Sequence, residues 1–242
     1  MPDQHSGDQH EQPTGFTQLV HVGIGGTALG VGFRAPFADW LMEGPELVDS
    51  VELTAEHFFD HPERAAAVAE VHPVAVHGLG MSIGSADEDP EWHARFEAVC
   101  RAATPRWVSD HLAFTRAVGV DLGHLNPLSL DEAMLERIAV RADRVQQQLG
   151  CQFLLENITS HLQVPGTIAE PDFLTRIAER TGAGVLLDLT NLYATRPITA
   201  LILSPGSRDS IQGTSFSTTS SGSLGWVRVL KICTTAWCRP SC

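Results

Sequence analysis

Five short apolar runs along this chain each end on side chains that can bind a metal ion. The side chains at the run ends are carboxylates, imidazoles and amides, and stretches with helical spacing separate the runs. Near-continuous apolar runs of this length are typical of parallel strands that are buried on both faces. The pattern predicts a parallel sheet with polar groups at the carboxyl ends of its strands. The five runs are LTAEHFF (53–59), VAVHGLG (74–80), WVSDHLAF (107–114), FLLENIT (153–159) and VLLDLTNLY (185–193).

Predicted helices connect these strands, and proline, glycine and capping residues mark their ends. Strand and helix alternating in this way imply right-handed crossovers and a (β/α) barrel. A further strand is predicted at 19–24, and the glycine-rich stretch from there to Arg34 is interpreted as a loop across the barrel end. Six strands are therefore expected before residue 196, where a closed barrel needs eight. The helices are predicted from Pro62 towards Glu70, from Pro90 to about Ala102, from a capping box at 129–132 to Gly150, and from Glu170 to Gly182.

The composition changes abruptly near residue 197. The final part contains the low-complexity stretch SFSTTSSGS (215–223), a single acidic residue, Asp209, and three of the five cysteines. The stretch LGWVRVLKICTTAW (224–237) has the propensity for one strand but carries no ligand-type residue. The predicted domains are a disordered leader at 1–17, a barrel at 18–196 and an atypical tail at 197–242. The tail resembles the product of a shifted reading frame, a hypothesis that sequencing the coding DNA would test.

The overall composition excludes several classes of function. A hydrophobic content of 43% is ordinary for a globular protein. A formal net charge of −13 argues against a nucleic-acid binder with a basic surface. No apolar run approaches the roughly 20 residues that span a bilayer, and the polar start lacks the apolar centre of a signal peptide. We therefore expect a cytoplasmic protein without a membrane or nucleic-acid partner.

The polar residues at the strand ends are candidate metal ligands, because the carboxyl ends of barrel strands meet at one face of the fold. Imidazole, carboxylate and amide groups suit iron, manganese or zinc. Several carboxylates in one place also favour more than one cation. Two structural alternatives stay open, since an aspartate can cap the next segment and an asparagine can form a turn. The candidates are His77, His111, Glu156, Asp188, Asn157 and Asn191.

Two runs carry adjacent ligand-type residues, Glu56 with His57 and Asp110 with His111. Neighbouring residues on a strand point to opposite sides, so only one of each pair can face the barrel axis. The other is expected to orient a ligand by hydrogen bonding or to be an additional ligand. The remaining histidines of the barrel region are expected at the surface: His21, His61, His72, His93, His124 and His161.

The motifs GVGFRAP, AEHFF, VHGLGMSIGS, VSDHLAF, LLENIT and LLDLTNLYA resemble the DUF692 (UPF0276) family of multinuclear non-heme iron-dependent oxidases. The resemblance extends from about Leu19 to Thr195 and implies a TIM barrel related to the xylose-isomerase-like barrels. It also implies two or three iron ions that use O₂ to modify residues, often cysteine, in a ribosomally made precursor peptide, which a small partner protein presents. The metal ligands that it implies are His77, His111, Glu156, Asp188 and Asn191.

The chain departs from the family after residue 195. The family continues with a strand that carries a histidine in a motif like IHLAGH, whereas no histidine follows His161 here. The leading hypothesis is an oxidase in which iron is held by His77, His111 and Glu156, with Arg34 steering an anionic substrate group. The alternatives are a divalent-metal isomerase or phosphodiesterase on the same barrel, or an inactive, truncated family member.

Overall fold

The computed structural model describes residues 29–162 and 164–195, together with the backbone at 227–231. Seven parallel strands form one sheet, and a separate antiparallel hairpin follows its fourth strand. In chain order the strands are β1 Gly30–Gly32, β2 Ser50–Thr54, β3 Val74–His77, β4 Trp107–His111, β5 Phe114–Ala117, β6 Val120–Asn126, β7 Gln152–Glu156, β8 Gly184–Asp188 and β9 Val227–Lys231. The order in the sheet is β1-β2-β3-β4-β7-β8-β9, and β5 pairs with β6.

The helices confirm the predicted alternation with the strands. They are α1 Ala38–Met42, α2 Pro62–Val71, α3 Pro90–Ala103, α4 Glu132–Leu149, α5 Glu170–Thr181 and α6 Leu189–Ala194, with short 3-10 turns at Ala35–Phe37 and Ala55–Phe58. Asp89 caps α3 by accepting hydrogen bonds from the backbone N–H groups of Glu91 and Trp92. The predicted capping box of α4 is misplaced by two residues, because the Asp131 side chain accepts from Met134 N and so takes the cap position expected for Ser129.

The glycine-rich stretch before Arg34 was predicted as a loop, and that prediction is wrong for Gly30–Gly32. These residues form β1, which pairs in parallel with β2. Their backbone groups form the hydrogen-bonded ladder with β2. Because two of the three residues are glycines, they show no alternation of apolar and polar side chains, and hydrophobic periodicity does not detect the strand. Gly30 also permits a close approach, since a Cβ there would lie 2.9 Å from Ser50 Oγ. The strand predicted at 19–24 lies outside the described residues.

The core lies between the sheet and the helices that cover it. Apolar side chains of α3, α4 and α5 pack against alternate positions of the strands, and each buried side chain of this size contributes about 1.5–3 kcal/mol. The opposite face of the sheet points to the interior of the curved barrel wall and carries the polar residues. The core side chains include Leu53, Val76, Val108, Phe153, Phe96, Ile138, Phe173 and Ile177, all fully or almost fully buried.

The sheet is open among the described residues, because β1 and β9 each pair on one side only. A (β/α) barrel with about six of eight strands recognisable was predicted, and the structure confirms the parallel strands with helices between them, in a sheet that is open within the described residues. β9 also confirms the single strand predicted within 224–237, and it pairs with β8 with Lys231 opposite Asp188. The domain limits at 17 and 196 stay predictions. Within the described residues, no helix is both long and apolar enough to cross a membrane.

The hairpin β5–β6 was not predicted. It follows β4 within three residues and turns at Val118 and Gly119, which both have positive φ. Ser82 Oγ accepts hydrogen bonds from the backbone N–H groups of Thr115 and Arg116, and Ser85 Oγ donates to the Arg116 carbonyl. The inner edge of the hairpin is thereby fixed to the loop after β3.

Candidate metal centre

Three buried side chains meet at the carboxyl ends of β3, β4 and β7. His77, His111 and Glu156 each offer one ligand atom, and these atoms all lie within 4.8 Å of one another. The two imidazole rings are 4.7 Å apart between centroids and meet edge to face at 73°. All three side chains are nearly inaccessible to solvent. Such a group can hold a metal ion.

The strand register explains why these residues meet. His77 lies beside Ser109 in the ladder between β3 and β4, and His111 lies beside Glu156 in the ladder between β4 and β7. Neighbours in a ladder and residues two apart on one strand share a face of the sheet. His77, Ser109, His111 and Glu156 therefore all point to the barrel interior. Asp110 points to the opposite face.

The spacing within the group suits an ion better than direct hydrogen bonds. His77 Nε2 lies 3.6 Å from one carboxylate oxygen of Glu156, and His111 Nε2 lies 3.9 Å from the other. Both distances exceed the usual range of hydrogen bonds. Ligand atoms that each lie about 2.1 Å from one ion are about 3 to 3.5 Å apart, so modest side-chain rotation brings these three to bonding distance. Two imidazoles and one carboxylate therefore fit a borderline divalent metal.

Ser109 orients the first imidazole, although it is not among the residues predicted for the site. His77 Nδ1 and Ser109 Oγ are 2.9 Å apart, so the hydroxyl fixes the ring with Nε2 towards Glu156. A group that binds the second nitrogen of a histidine sets its tautomer and orientation. The signal was available, because Ser109 precedes His111 by two residues on a predicted strand and must share its face.

Two further carboxylates hold the loop that follows His77. Glu56 Oε1 accepts hydrogen bonds from the Leu79 backbone N–H at 2.8 Å and from Trp92 Nε1 at 3.1 Å. Asp110 Oδ2 accepts from the Met81 backbone N–H at 3.0 Å. Gly78 permits this close packing, since a Cβ there would lie 2.6 Å from Asp110 Oδ2. Glu56 and Asp110 therefore hold the loop after β3, and their predicted role as supporting residues or additional ligands stays a prediction.

The Glu56 carboxyl has a raised pKa in the folded protein. Its Oε2 is buried and has no hydrogen-bond partner among the described residues. Burial raises the pKa of Glu56, the nearby negative charge of Asp110 raises it further, and the hydrogen bonds from Leu79 and Trp92 oppose this rise. The proton affinity of this group is thus increased beside the candidate metal centre.

Asp188, Asn157 and Asn191 form a separate polar group at the end of β8. Asp188 Oδ1 accepts hydrogen bonds from the backbone N–H groups of Thr190 and Asn191 and so caps α6. The Asn157 amide accepts from Asp188 N at 2.8 Å and donates to Asp188 O at 3.0 Å. Asn191 Nδ2 donates to the Asn157 carbonyl, and its Oδ1 accepts from Thr159. Their roles as metal ligands stay predictions.

The other candidates lie away from the three-residue group. His57 is exposed on the 3-10 turn after β2. Arg34 is also exposed, and its Nη1 donates to the Phe33 carbonyl. Among the histidines expected at the surface, His72 is a correction: it is buried, with Nε2 2.7 Å from the Leu41 carbonyl. Its position at the end of α2 lets the ring fill the space over α1, which helical spacing alone does not reveal.

A cavity of about 470 Å³ reaches the candidate metal centre at His111. Its walls come from the loop after β3, from Trp92 and from the hairpin β5–β6. Glu56, Asp121 and Arg116 are its charged lining residues. The Arg116 guanidinium is already paired with Asp89 at 2.8 Å and lies 3.7 Å from Asp121. The approach to His111 therefore contains both carboxylates and a guanidinium that is ion-paired.

Comparisons with known proteins place the chain in a family. Residues 28–197 match the family described as RiPP precursor modification enzyme MbnB/TglH/ChrH, and the chain belongs to this family. A UPF0276 protein of Rhizorhabdus wittichii is 36% identical over 178 residues, covering 71% of this chain and 64% of the relative. A UPF0276 protein of Chromobacterium violaceum is 36% identical over 173 residues, covering 69% of this chain and 62% of the relative. The chain thus spans less than two thirds of the length of these relatives.

Two solved structures show weaker similarity. The IOLI protein, crystallised with a bound zinc atom, is 14% identical with a TM-score of 0.42, covering 71% of this chain and 66% of that protein. SacUVDE is 11% identical with a TM-score of 0.39, covering 66% of this chain and 56% of that protein. At these scores neither similarity supports a statement about the function of this chain.

Proposed function

We propose that this chain is the barrel region of an iron-dependent oxidase that uses O₂ to modify residues, often cysteine, of a ribosomally made precursor peptide. The observation that carries the proposal is the buried group of His77, His111 and Glu156. Two histidines and one carboxylate with open positions are typical of non-haem Fe(II) oxygenases. Membership of a family of peptide-modifying enzymes supports the peptide as substrate.

The residues of the centre have distinct tasks in this proposal. Glu156 supplies the negative charge that compensates a cation in a buried site, and the two imidazoles supply neutral nitrogen donors. Iron, when bound, supplies the redox chemistry and the Lewis acidity of the reaction. Ser109 holds the His77 ring in place, and Asp110 fixes the neighbouring loop. The chain thereby places these side chains near one another before any ligand arrives.

Substrate access is proposed through the cavity beside His111. Trp92 and the hairpin β5–β6 form walls of this cavity, which opens to the surface and ends at His111. The two or three iron ions, with one near Asp188 and Asn191, the small partner protein that presents the peptide, and a cytoplasmic location belong to the same proposal.

The test is metal analysis of protein that is loaded with Fe(II) and dialysed without oxygen. Wild-type protein is expected to retain iron, and His111→Ala to lose it, because one of three ligands is missing. His61→Ala is the matched control, since His61 is exposed and paired with Glu63 on α2. Full iron retention in His111→Ala would contradict the assignment of the site.

A divalent-metal isomerase or phosphodiesterase is the second candidate, because the same donor set also suits manganese and zinc. Oxygen consumption separates the two. An oxidase consumes O₂ only when iron and the precursor peptide are both present, whereas a manganese- or zinc-dependent activity proceeds without oxygen. An inactive, truncated family member would show neither activity, and it would retain no stoichiometric metal.

A further inference from the structure

A second cavity, of about 990 Å³, lies beside the candidate metal centre. It is lined by Leu112, which directly follows His111, and by Ile158, which follows Glu156 by two residues. The Leu112 backbone N–H also donates a hydrogen bond to the Glu156 carbonyl at 2.8 Å. The cavity therefore lies at the carboxyl ends of β4 and β7, on the face where barrel proteins build their binding sites.

The walls of this cavity, the apolar cleft, consist mainly of aliphatic side chains. Two of them are well exposed, Leu162 at 70% and Val164 at 39%. A concave surface of aliphatic side chains with a few polar groups is typical of a ligand-binding site, and the volume is at the upper end of the usual range. The aliphatic lining residues are Leu112, Leu128, Leu130, Ile158, Leu162 and Val164.

The two loops that form the apolar cleft are joined by backbone hydrogen bonds. The Leu130 carbonyl, in the loop before α4, accepts from the backbone N–H groups of Thr167 and Ile168, in the loop before α5. Gly166 lies so close to this loop that a Cβ there would be 2.8 Å from the Leu130 oxygen. Because these contacts fix both walls, a ligand does not have to order them when it binds.

Glu170, the first residue of α5, places a carboxylate in the wall of the apolar cleft. Burial raises the pKa of Glu170, and among the described residues no ion pair or hydrogen bond to its carboxylate opposes this rise. Removing a charge from water without a partner is unfavourable. A cation that binds beside Glu170 forms a charge-assisted hydrogen bond and offsets this cost.

The apolar cleft adjoins the cavity that reaches His111. Leu125 lines that cavity, and Pro127, two residues further along the chain, lines the cleft. A peptide with one residue at His111 therefore has its neighbouring residues beside the cleft. The aliphatic walls favour apolar side chains there, and the Glu170 carboxylate favours a basic one among them.

We propose that the apolar cleft binds a segment of the peptide substrate in which aliphatic side chains flank one basic residue, and that the cationic group of this residue pairs with Glu170. The inference rests on the proposed function for the identity of the occupant. It assigns to the cleft the recognition of the segment next to the modified residue.

The test uses the full chain without metal and three fluorescein-labelled peptides, Ser-Leu-X-Leu-Ser, in which X is lysine, norleucine or glutamate. Fluorescence anisotropy is expected to show saturable binding of the lysine peptide. The norleucine peptide should bind about tenfold more weakly, because it lacks the hydrogen bond to a charged group, and the glutamate peptide should bind most weakly. Equal affinities of the three peptides, or no saturable binding, would overturn the proposal.

Variants at Glu170 test the charge that selects the basic residue. Glu170→Gln is expected to lose the preference for lysine over norleucine, whereas Glu179→Gln, at an exposed carboxylate on the same helix, keeps it. Glu170→Lys should bind the glutamate peptide more tightly than the lysine peptide. If Glu170 stabilises only the start of α5, Glu170→Gln lowers the unfolding midpoint and keeps the preference, which would contradict the proposal. The three peptides test the wild type even where a variant does not fold.

A second pair of variants locates the bound peptide. Leu162→Ser is expected to weaken binding of the lysine peptide about threefold or more, because apolar contact area is lost. Leu47→Ser changes a leucine of matching exposure, 71%, outside the cleft and should leave the affinity unchanged. Equal losses in the two variants, or a wild-type dimer that Leu162→Ser dissociates, would overturn the proposal.

These measurements are independent of the oxidase assignment, since the peptides contain no cysteine and the protein contains no metal. A preference for lysine in a protein that later shows no oxygen consumption would reject the proposed function and keep the binding site. Iron retention and peptide oxidation together with equal affinities of the three peptides would reject the binding site alone.

Discussion

The ends of β3, β4 and β7 differ from the end of β8, although the sequence pattern is the same in both regions. At the first, His77 and His111 place Nε2 at 3.6 and 3.9 Å from the two carboxylate oxygens of Glu156, and the ligand atoms of all three residues lie within 4.8 Å of one another. At the second, Asp188 and Asn157 direct their polar atoms to backbone groups at 2.7 to 3.0 Å. The first arrangement leaves room for an ion, and the second completes the local backbone hydrogen bonding.

The difference shows that a polar residue at a strand end has two distinct uses. Such a residue stabilises the fold when backbone donors lie within its reach, as they do at the start of α6. It becomes available to a ligand when the neighbouring strand presents another side chain at the same level. The register contributes to this difference, because Glu156 lies beside His111, whereas Leu186 is the residue of β8 beside Glu156. Asp188 consequently lies two residues further along β8 than the neighbour of Glu156.

The largest expected effect concerns metal affinity. Glu156→Gln should weaken Fe(II) binding by at least about 100-fold, since even residues that only support metal ligands account for about 10–100-fold in affinity. Asp188→Asn keeps the cap but removes a negative charge, and we expect little change in the affinity of the first ion. Anaerobic titration calorimetry measures both. Equal losses of Fe(II) affinity in the two variants would show that both regions bind the metal, and the distinction between them would then be wrong.

The next effect concerns the stability of the metal-free protein. Asn157→Ala removes two hydrogen bonds and leaves the buried N–H of Asp188 without its amide acceptor, so the free energy of unfolding should fall by about 1–3 kcal/mol. Urea denaturation gives this value. If Asn157→Ala loses iron but keeps the free energy of unfolding of the wild type, Asn157 is a metal ligand instead.

A smaller effect is expected at the cap of α6. Asp188→Ala should lower the free energy of unfolding by about 1 kcal/mol, while Asp188→Asn should change it by only a few tenths, because asparagine is an equally good cap. Thermal unfolding resolves the difference as a shift of about 2–4 °C. If Asp188→Ala and Asp188→Asn have the same free energy of unfolding, Asp188 does not stabilise the protein by capping α6.

The smallest effect is a pH dependence at Glu56, whose pKa is raised in the folded state by burial and by Asp110. A raised pKa favours folding below the ordinary value of 4.5, and this contribution is lost as pH rises through the folded-state pKa. Glu56→Gln cannot ionise, and the donors Leu79 N and Trp92 Nε1 hold its amide oxygen in place. Wild-type protein should therefore lose stability relative to Glu56→Gln between pH 4.5 and neutral pH, as measured by urea denaturation. A difference in free energy of unfolding between the two proteins that stays constant with pH would contradict this prediction.

Local rules explain what could be predicted. The order of strands and helices followed from apolar runs and from proline, glycine and aspartate at helix ends, which act within a few residues. The same rules placed His77, His111 and Glu156 at strand ends. They failed for β1, whose glycines leave no pattern, and for the hairpin β5–β6, where a valine occupies a turn position that usually carries asparagine.

The sequence by itself determined the alternation of elements, the parallel sheet and the set of polar residues at one end of it, because the side-chain period of a strand and the caps of a helix are encoded locally. Only the tertiary structure decided which of these residues meet. The register between strands places His111 beside Glu156, while Asp188 caps α6, and this register joins strands that are distant in the chain, so local rules do not encode it.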